Sequence, residues 1–333
     1  MRALVFERYG GPDQVSFADI PRPVPEPDDI LVQVHAAGLN PIDYKIRSGQ
    51  MRPIVRFRLP ATLGSDVAGV VVEVGPRVTR LKPGDAVFAT IDRLRMGALA
   101  ELAVVAENAA ALKPAHLDFA QAASIPLVAL TAWQALKDRA HVKPGHKVFI
   151  PAGAGGIGTV AIQLAKHLGA VVATTTSAGN VDLVRSLGAD EVIDYKQQNF
   201  EDVLKDYDAV LDTLGGKSIE NSLQILRPNG MVVSIVGPPD AAFGRARGMN
   251  FFFVFLLWLL GRKTRRLANK RGVHYSFLLM NPDGRQLADI GELFELGSIR
   301  PVIDKVFPFD QAQDALAYLE KGRAKGKVVV QMK

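Results

Sequence analysis

The segment KVFIPAGAGGIGTVAIQLAKHLGA, Lys147 to Ala170, constrains this chain more than any other: an apolar β-type run, then Gly153, Gly155 and Gly158 spaced G-x-G-x-x-G, then an amphipathic helical pattern. Three glycines in isolation say little. Between a strand and a helix they serve three physical purposes, which are a tight turn, close approach of backbone to a pyrophosphate, and contact of helix with strand. The helix N-terminus adds free N–H groups and the positive end of its dipole. The segment, with Gly156 and Ile157 completing the loop, points to a dinucleotide site; the alternative is a glycine turn that only packs a helix.

The loop belongs to a longer pattern. From Ile125 onward, strand candidates at Lys147, Ala170, Asp190, Tyr207 and Gly230 alternate with helical stretches from Thr159, Val181, Asn199 and Ser218. That alternation predicts βα units and a parallel sheet covered on both faces. The earlier runs Ile30 to Gly38, Val67 to Gly75 and Pro83 to Ala89 are short, β-type and separated by Gly and Pro, which predicts an antiparallel, barrel-like region. Proline-dense IPRPVPEPDD, Ile20 to Asp29, reads as a surface connection. After Asp304 a short helix and the run KVVVQM are read as returning to the first region. A length of 333 residues suits two domains.

The chain has no cysteine, which excludes disulfides, thiolate nucleophiles and cysteine-based zinc sites. The net charge of +6 permits a phosphorylated cofactor, nucleic acid or a lipid surface as an anionic partner. MRALVFERYG at the start is too short and too charged for a signal-peptide core, and a cytoplasmic location is the expectation. Phe251 to Leu260 forms ten apolar residues, about half of the roughly 20 that cross a bilayer as a helix. Six bases follow within Arg262 to Arg271.

At the end of the second strand of such a sheet, an NAD site usually presents a carboxylate to the ribose. Here stand Thr174, Thr175, Thr176, Ser177, Ala178, Gly179 and Asn180, with no carboxylate before Asp182. Hydroxyls and an amide suit a 2′-phosphate, so NADPH is expected over NADH. Lys196 adds positive charge if the third strand ends beside the second.

Several stretches together carry a family resemblance: AGLNPIDYKIRSG from Ala37, LGSDVAGVVVEVGPRVTRLKPGD from Leu63, GALAELAVV from Gly97, LTAWQAL from Leu130, the glycine loop, SLGADEVIDY from Ser186 and KGKVVV from Lys325. The chain resembles the medium-chain dehydrogenase/reductase superfamily, in its zinc-independent quinone oxidoreductase and alkenal/enone reductase branch, over nearly its whole length. The resemblance implies an α/β fold, a Rossmann doubly wound parallel sheet inserted in a GroES-like β-rich catalytic domain. The expected borders are 1–124 with 304–333 for the catalytic domain and 125–303 for the NADPH-binding domain. Zinc-dependent relatives place a cysteine ligand at the turn held here by Asn40 and a His-Glu pair near Ser65 and Asp66. Neither carries over, and the six histidines form no ligand-like cluster, so no metal is expected.

Without a Lewis acid, the substrate of a hydride donor must itself be electrophilic. A quinone or an α,β-unsaturated carbonyl such as a 2-alkenal or enone meets that demand when donors stabilise the oxyanion. The resemblance places AGLNPIDYKIRSG beside the nicotinamide. Asn40 is then a candidate to orient or polarise the substrate, Tyr44 to donate a hydrogen bond or proton, and Lys45 to stabilise negative charge on substrate or cofactor. The alternatives are a turn-fixing role for Asn40 and an aromatic wall for Tyr44, with water as proton source. Thr131 matches a position beside the nicotinamide or the phosphates, Ser177, Asn180 and Tyr195 match the adenosine-phosphate pocket, and Ile235, Val236 and Gly237 match backbone that packs on the nicotinamide. For the apolar-basic segment, the preferred reading sets Phe251, Phe252 and Phe253 over the nicotinamide and packs the rest at a subunit or domain interface. The other is an anchor on a membrane surface. A homodimer is the family expectation, and no nucleic-acid motif is present. A different class of function, a dinucleotide-binding structural or regulatory protein, stands beside the reductase.

Overall fold

A computed structural model of the chain describes residues 1–52 and 57–332. Along the chain the elements that matter for function are strand β1 (Asp29–Leu39), helix α1 (Pro41–Arg47) and β2 (Asp66–Val74), then β3 (Lys147–Ile150), α2 (Gly156–His167), β4 (Val171–Thr176), β5 (Glu191–Asp194), β6 (Tyr207–Asp212) and β7 (Leu226–Ser234). There follow α3 (Ala241–Ala246), α4 (Phe251–Leu260), α5 (Arg262–Arg271), β8 (His274–Phe277), α6 (Gly284–Glu295) and β9 (Lys327–Gln331). The chain divides into two compact units, residues 1–130 with 281–333, and residues 131–280.

In the first unit, one seven-stranded sheet runs in the order Ile303–Pro308, β9, β1, β2, Ala86–Thr90, Ala110–Leu112, with Leu102–Ala106 also paired to β1. β1 is its spine, because an eleven-residue run rich in Val, Ile, Leu and Ala can be buried on both faces. The last strand, β9, pairs antiparallel with β1, with Val328 opposite Leu39 and Gln331 opposite Ala36. Leu4, Ile30, Val32, Leu39, Leu63 and Val330 contribute to the core of this unit. The proline-rich connection between Ile20 and Asp28 has neither helix nor strand, as missing N–H groups dictate.

Helix α6 also belongs to the first unit, although the sequence pattern set the border at Asp304. Its apolar stripe Leu287, Ile290 and Phe294 is buried, and Gly284 sits so close to the strand Ala110–Leu112 that a Cβ there would lie 2.3 Å from the Ala110 carbonyl. Packing partners, which periodicity does not reveal, decide to which unit a helix belongs.

In the second unit, six strands lie in the order β5-β4-β3-β6-β7-β8, and every pairing is parallel. This is the doubly wound arrangement, whose strand order reverses between β3 and β6. The sixth strand, β8, extends the five that the sequence pattern spaced. Ligands of such sheets bind at the carboxyl ends of the strands beside the reversal, where the glycine loop follows β3.

Candidate functional site

The glycine loop is tied to β4 by the threonines of that strand. Thr174 Oγ1 donates to the Ile150 carbonyl at 2.6 Å, the Ala152 N–H donates to Thr175 Oγ1 at 3.0 Å, and the Gly153 N–H donates to the Thr175 carbonyl at 3.0 Å. Two of the three glycines are then required for packing. A Cβ on Gly153 would lie 2.1 Å from Thr174 Oγ1, and one on Gly158 would lie 2.6 Å from both the Ala152 carbonyl and Gly153 Cα. Gly155 differs: the only neighbour of its added Cβ is the Ala152 carbonyl at 3.3 Å. The N–H groups from Gly156 through Ile157 to Gly158 precede the first bond of α2, Thr159 N–H to the Gly155 carbonyl at 2.9 Å, and so lack intrahelical acceptors. An open backbone face next to unclaimed donors at a helix N-terminus is a fit for a pyrophosphate.

The threonine hydroxyls expected near the ribose are corrected by this arrangement. Thr174, Thr175 and Thr176 are buried, and the first two are spent on the loop. What remains at the strand end is the turn Ser177 to Asn180. Asn180 Nδ2 donates to Ser177 Oγ at 3.3 Å, while Asn180 Oδ1 is buried with no hydrogen-bond partner among the described residues, an acceptor that a sugar hydroxyl would satisfy. Because Thr176 pairs with Asp194 across β4 and β5, the neighbouring strand continues into Tyr195 and Lys196, both exposed. The Asp194 carboxylate at that edge caps its own turn, accepting from the Lys196 N–H at 3.0 Å. Ile235, Val236 and Gly237 follow directly on β7, with Gly237 at φ 117°. Thr131 is buried in the helix Pro126–Trp133, and Phe252 and Phe253 project as exposed rings from the first turn of α4.

In the first unit, strand register assembles a second cluster. Gly38 pairs with Asp66 and Leu39 with Val328, which brings Asn40, Ser65, Asp66 and Lys327 together just past the end of β1. Asn40 Nδ2 donates to Asp66 Oδ2 at 2.9 Å and to Ser65 Oγ at 3.2 Å, and its Oδ1 accepts from Lys327 Nζ. Lys327 also lies 3.2 Å from Asp66 Oδ2, whose other oxygen accepts the Leu127 N–H at 3.0 Å. Asp43, wholly buried, accepts from the Asn40 N–H at 2.7 Å and from Ser65 Oγ at 3.0 Å. Burial outweighs these donors and pushes the Asp43 carboxyl up to about 7.

The amide of Asn40 is thus committed on both sides, and the side chain serves to hold the start of α1. Tyr44 and Lys45, on the outer part of α1, are half-buried, and neither side chain has a hydrogen-bond or ion-pair partner among the described residues. Burial and the charge of Glu320 raise the Tyr44 phenol above its ordinary value, keeping it protonated and able to donate. Glu320 itself is clamped to α1 by the buried Arg47. Sequence reading missed Lys327; its one signal was a charged residue opening the apolar run KVVVQM.

The donor set at Asn40, Ser65 and Asp66 does not fit zinc. It offers no thiolate or imidazole, and the Lys327 ammonium inside it repels a dication. Among the described residues no group of three His, Asp or Glu side chains could hold a metal ion. A groove of the first unit, about 790 Å³, is lined by residues such as Arg2, Glu101 and Phe309 and by none of the candidate site residues.

Comparison with known proteins identifies the family. Residues 26–115 match the alcohol dehydrogenase GroES-like domain and residues 187–330 the zinc-binding dehydrogenase domain. The chain is 38% identical over 99% of its length to the mitochondrial NAD(P)H oxidoreductase RTN4IP1 of Bos taurus, covering 89% of that protein. It is 36% identical over 99% of its length to the chloroplastic NADPH-dependent alkenal/one oxidoreductase of Arabidopsis thaliana, covering 79% of it. The quinone oxidoreductase structure from Coxiella burnetii superposes with a TM-score of 0.86 at 32% identity, covering 100% of this chain and 99% of that one. The chain belongs to the medium-chain dehydrogenase/reductase superfamily, in the quinone oxidoreductase and alkenal/enone reductase branch, and is an oxidoreductase built for a nicotinamide cofactor.

Proposed function

We propose that this protein is an NADPH-dependent reductase that passes hydride directly to a quinone or an α,β-unsaturated carbonyl, with no metal in the reaction. The observation that carries the reading is the closed cluster around Asn40: its polar atoms bond one another and Lys327, leaving no Lewis-acid site there, and the described residues offer no other, so the substrate must bring its own electrophilic carbon. NADPH supplies that hydride when bound. Gly153, Gly155 and Gly158, with Gly156 and Ile157, hold its pyrophosphate at the start of α2. Ser177, Asn180, Tyr195 and Lys196 supply hydroxyl, amide and ammonium donors to the 2′-phosphate, and β4 itself ends without a carboxylate, while the Asp194 carboxylate at the neighbouring strand end is engaged by the Lys196 N–H.

Tyr44 and Lys45 stabilise the charge that develops on the substrate oxygen. As hydride adds to the conjugated system, the electron pair moves to oxygen; the phenol of Tyr44 donates a hydrogen bond there, and Lys45 adds positive charge. A proton from Tyr44 or water completes the reduction. Asn40 and Asp43 position α1 and so fix where Tyr44 points. The test is NADPH oxidation across a panel of 2-alkenals, enones and quinones, with Tyr44→Phe alongside. Turnover on at least one class, with kcat lowered about tenfold or more in the variant, is expected; cofactor binding without turnover on any of them overturns the reading.

A further inference from the structure

The helix α4 stands out among apolar segments of the chain because the fold does not cover it. Only Val254 is buried and Leu257 half-buried; they seat the helix on α3, where Gly244 allows the contact with both. Phe251, Phe255, Trp258 and Leu260 face solvent, with Phe251 85% and Leu260 65% exposed. The rings of Phe251, Phe255 and Trp258 form a stacked ridge along one side, with centroids 6.4 and 5.8 Å apart. An apolar surface of this extent on a folded chain marks an interaction site.

The adjoining helix α5 supplies the opposite chemistry. Thr264 and Ala268 are buried and turn its bases outward. Lys263 pairs with Glu220, and the Arg265 guanidinium lies 4.6 Å from the Trp258 ring centroid. Arg262, Arg266, Lys270 and Arg271 have no ion-pair partner among the described residues. Where the two helices meet, a groove of about 610 Å³ is lined by Leu259 and Leu260 from α4 and by Arg262, Lys263, Arg266 and Lys270 from α5.

We propose that α4 and α5 form a docking surface for an anionic lipid bilayer, with the aromatic ridge among acyl chains and the α5 cations on headgroup phosphates. A ten-residue helix is about 15 Å long, half of the roughly 30 Å hydrocarbon core, so α4 lies in the interface and does not cross it. Apolar side chains set beside unpaired cations match a headgroup with its chain. A second copy of this chain fits less well, since a self-complementary contact through α4 brings like-charged α5 helices together. A polynucleotide would leave the ridge in water.

The test is co-sedimentation of the full chain with vesicles of phosphatidylcholine alone and of phosphatidylcholine mixed with phosphatidylglycerol, at physiological salt. Binding to the mixed vesicles, weakened by added salt, is expected. It should fall about tenfold or more both in Phe255→Ser/Leu256→Ser/Leu260→Ser and in Arg262→Glu/Arg266→Glu/Lys270→Glu, with thermal unfolding unchanged because these side chains are exposed. Brominated acyl chains should quench Trp258 and spare Trp133, which is buried at 7% exposure. Absence of binding to the mixed vesicles, or equal binding to both vesicle types, overturns the proposal. So does an apolar variant that dissociates a dimer in light scattering while vesicle binding is kept, an outcome that assigns the face to a second copy. NADPH oxidation does not enter this test, so its outcome is independent of the proposed reaction.

Discussion

The two polar regions of the molecule are built in opposite ways. Around Asn40 in the first unit, amide, hydroxyl, carboxylates and ammonium are buried and bonded to each other. At the strand ends of the second unit, the N–H groups of Gly156 to Gly158 and the amide oxygen of Asn180 are left without partners among the described residues. The polar atoms of the first region are paired with one another, and those of the second keep donors and an acceptor unpaired among the described residues. Polar residues in a motif are therefore not evidence of a binding site until their own hydrogen bonds have been traced.

The sharpest way to break this contrast is to open the closed region. Lys327→Met leaves Asp66 buried without its cation and should cost about 3–5 kcal/mol in urea unfolding, with part regained in Asp66→Asn/Lys327→Met. The open region should respond more in binding than in stability. Gly155→Val puts a side chain on the more open backbone face and should weaken NADPH binding about a hundredfold by calorimetry, about 2.7 kcal/mol, with a stability cost of only about 1 kcal/mol from the lost N-cap glycine. Gly158→Ala, where there is no room, should instead destabilise the fold by about 1–3 kcal/mol.

A smaller effect sharpens the reading of the β4 end. Ser177→Asp restores the missing carboxylate and should lower NADPH affinity about tenfold while leaving NADH binding intact. The last is a pH slope, gentle at any one pH. Asp43, pushed up to about 7 from 3.8, holds its proton more tightly in the folded than in the unfolded chain. Between those values the native state binds more protons, so stability from this group is greatest at low pH and falls as pH rises, by at most about 1.4 kcal/mol per unit. Asp43→Asn should flatten that part of the urea-midpoint profile relative to the wild type; an unchanged slope would place the carboxyl lower.

Much of the second unit was legible in the sequence because its signals are local. The strand-glycine-helix order around Gly153 and Gly158 announces both the turn and the packing, and the spacing of β-type runs predicts the parallel sheet. The absence of a carboxylate from Ser177 to Asn180 is likewise visible in one short stretch. The first unit was less legible because its cluster joins Asn40 and Asp66 to a lysine that lies 287 residues from Asn40. Nothing in KVVVQM identifies the partner of Lys327; the antiparallel register of β9 on β1 does. The exposed helix α4 was equally hidden, since a run such as FFFVFLLWLL reads the same whether a core covers it or not.

The sequence by itself determined the order of the elements, the strand-glycine-helix loop, and the want of thiolates for zinc, because each depends on residue type at close spacing. Only the tertiary structure decided that Asn40 is a clamp, that the β4 threonines serve the loop, that α6 joins the first unit and that α4 meets solvent. Those outcomes depend on which distant backbone groups and side chains fill the space around each residue, and burial and hydrogen bonding are properties of that surrounding, not of the residue alone.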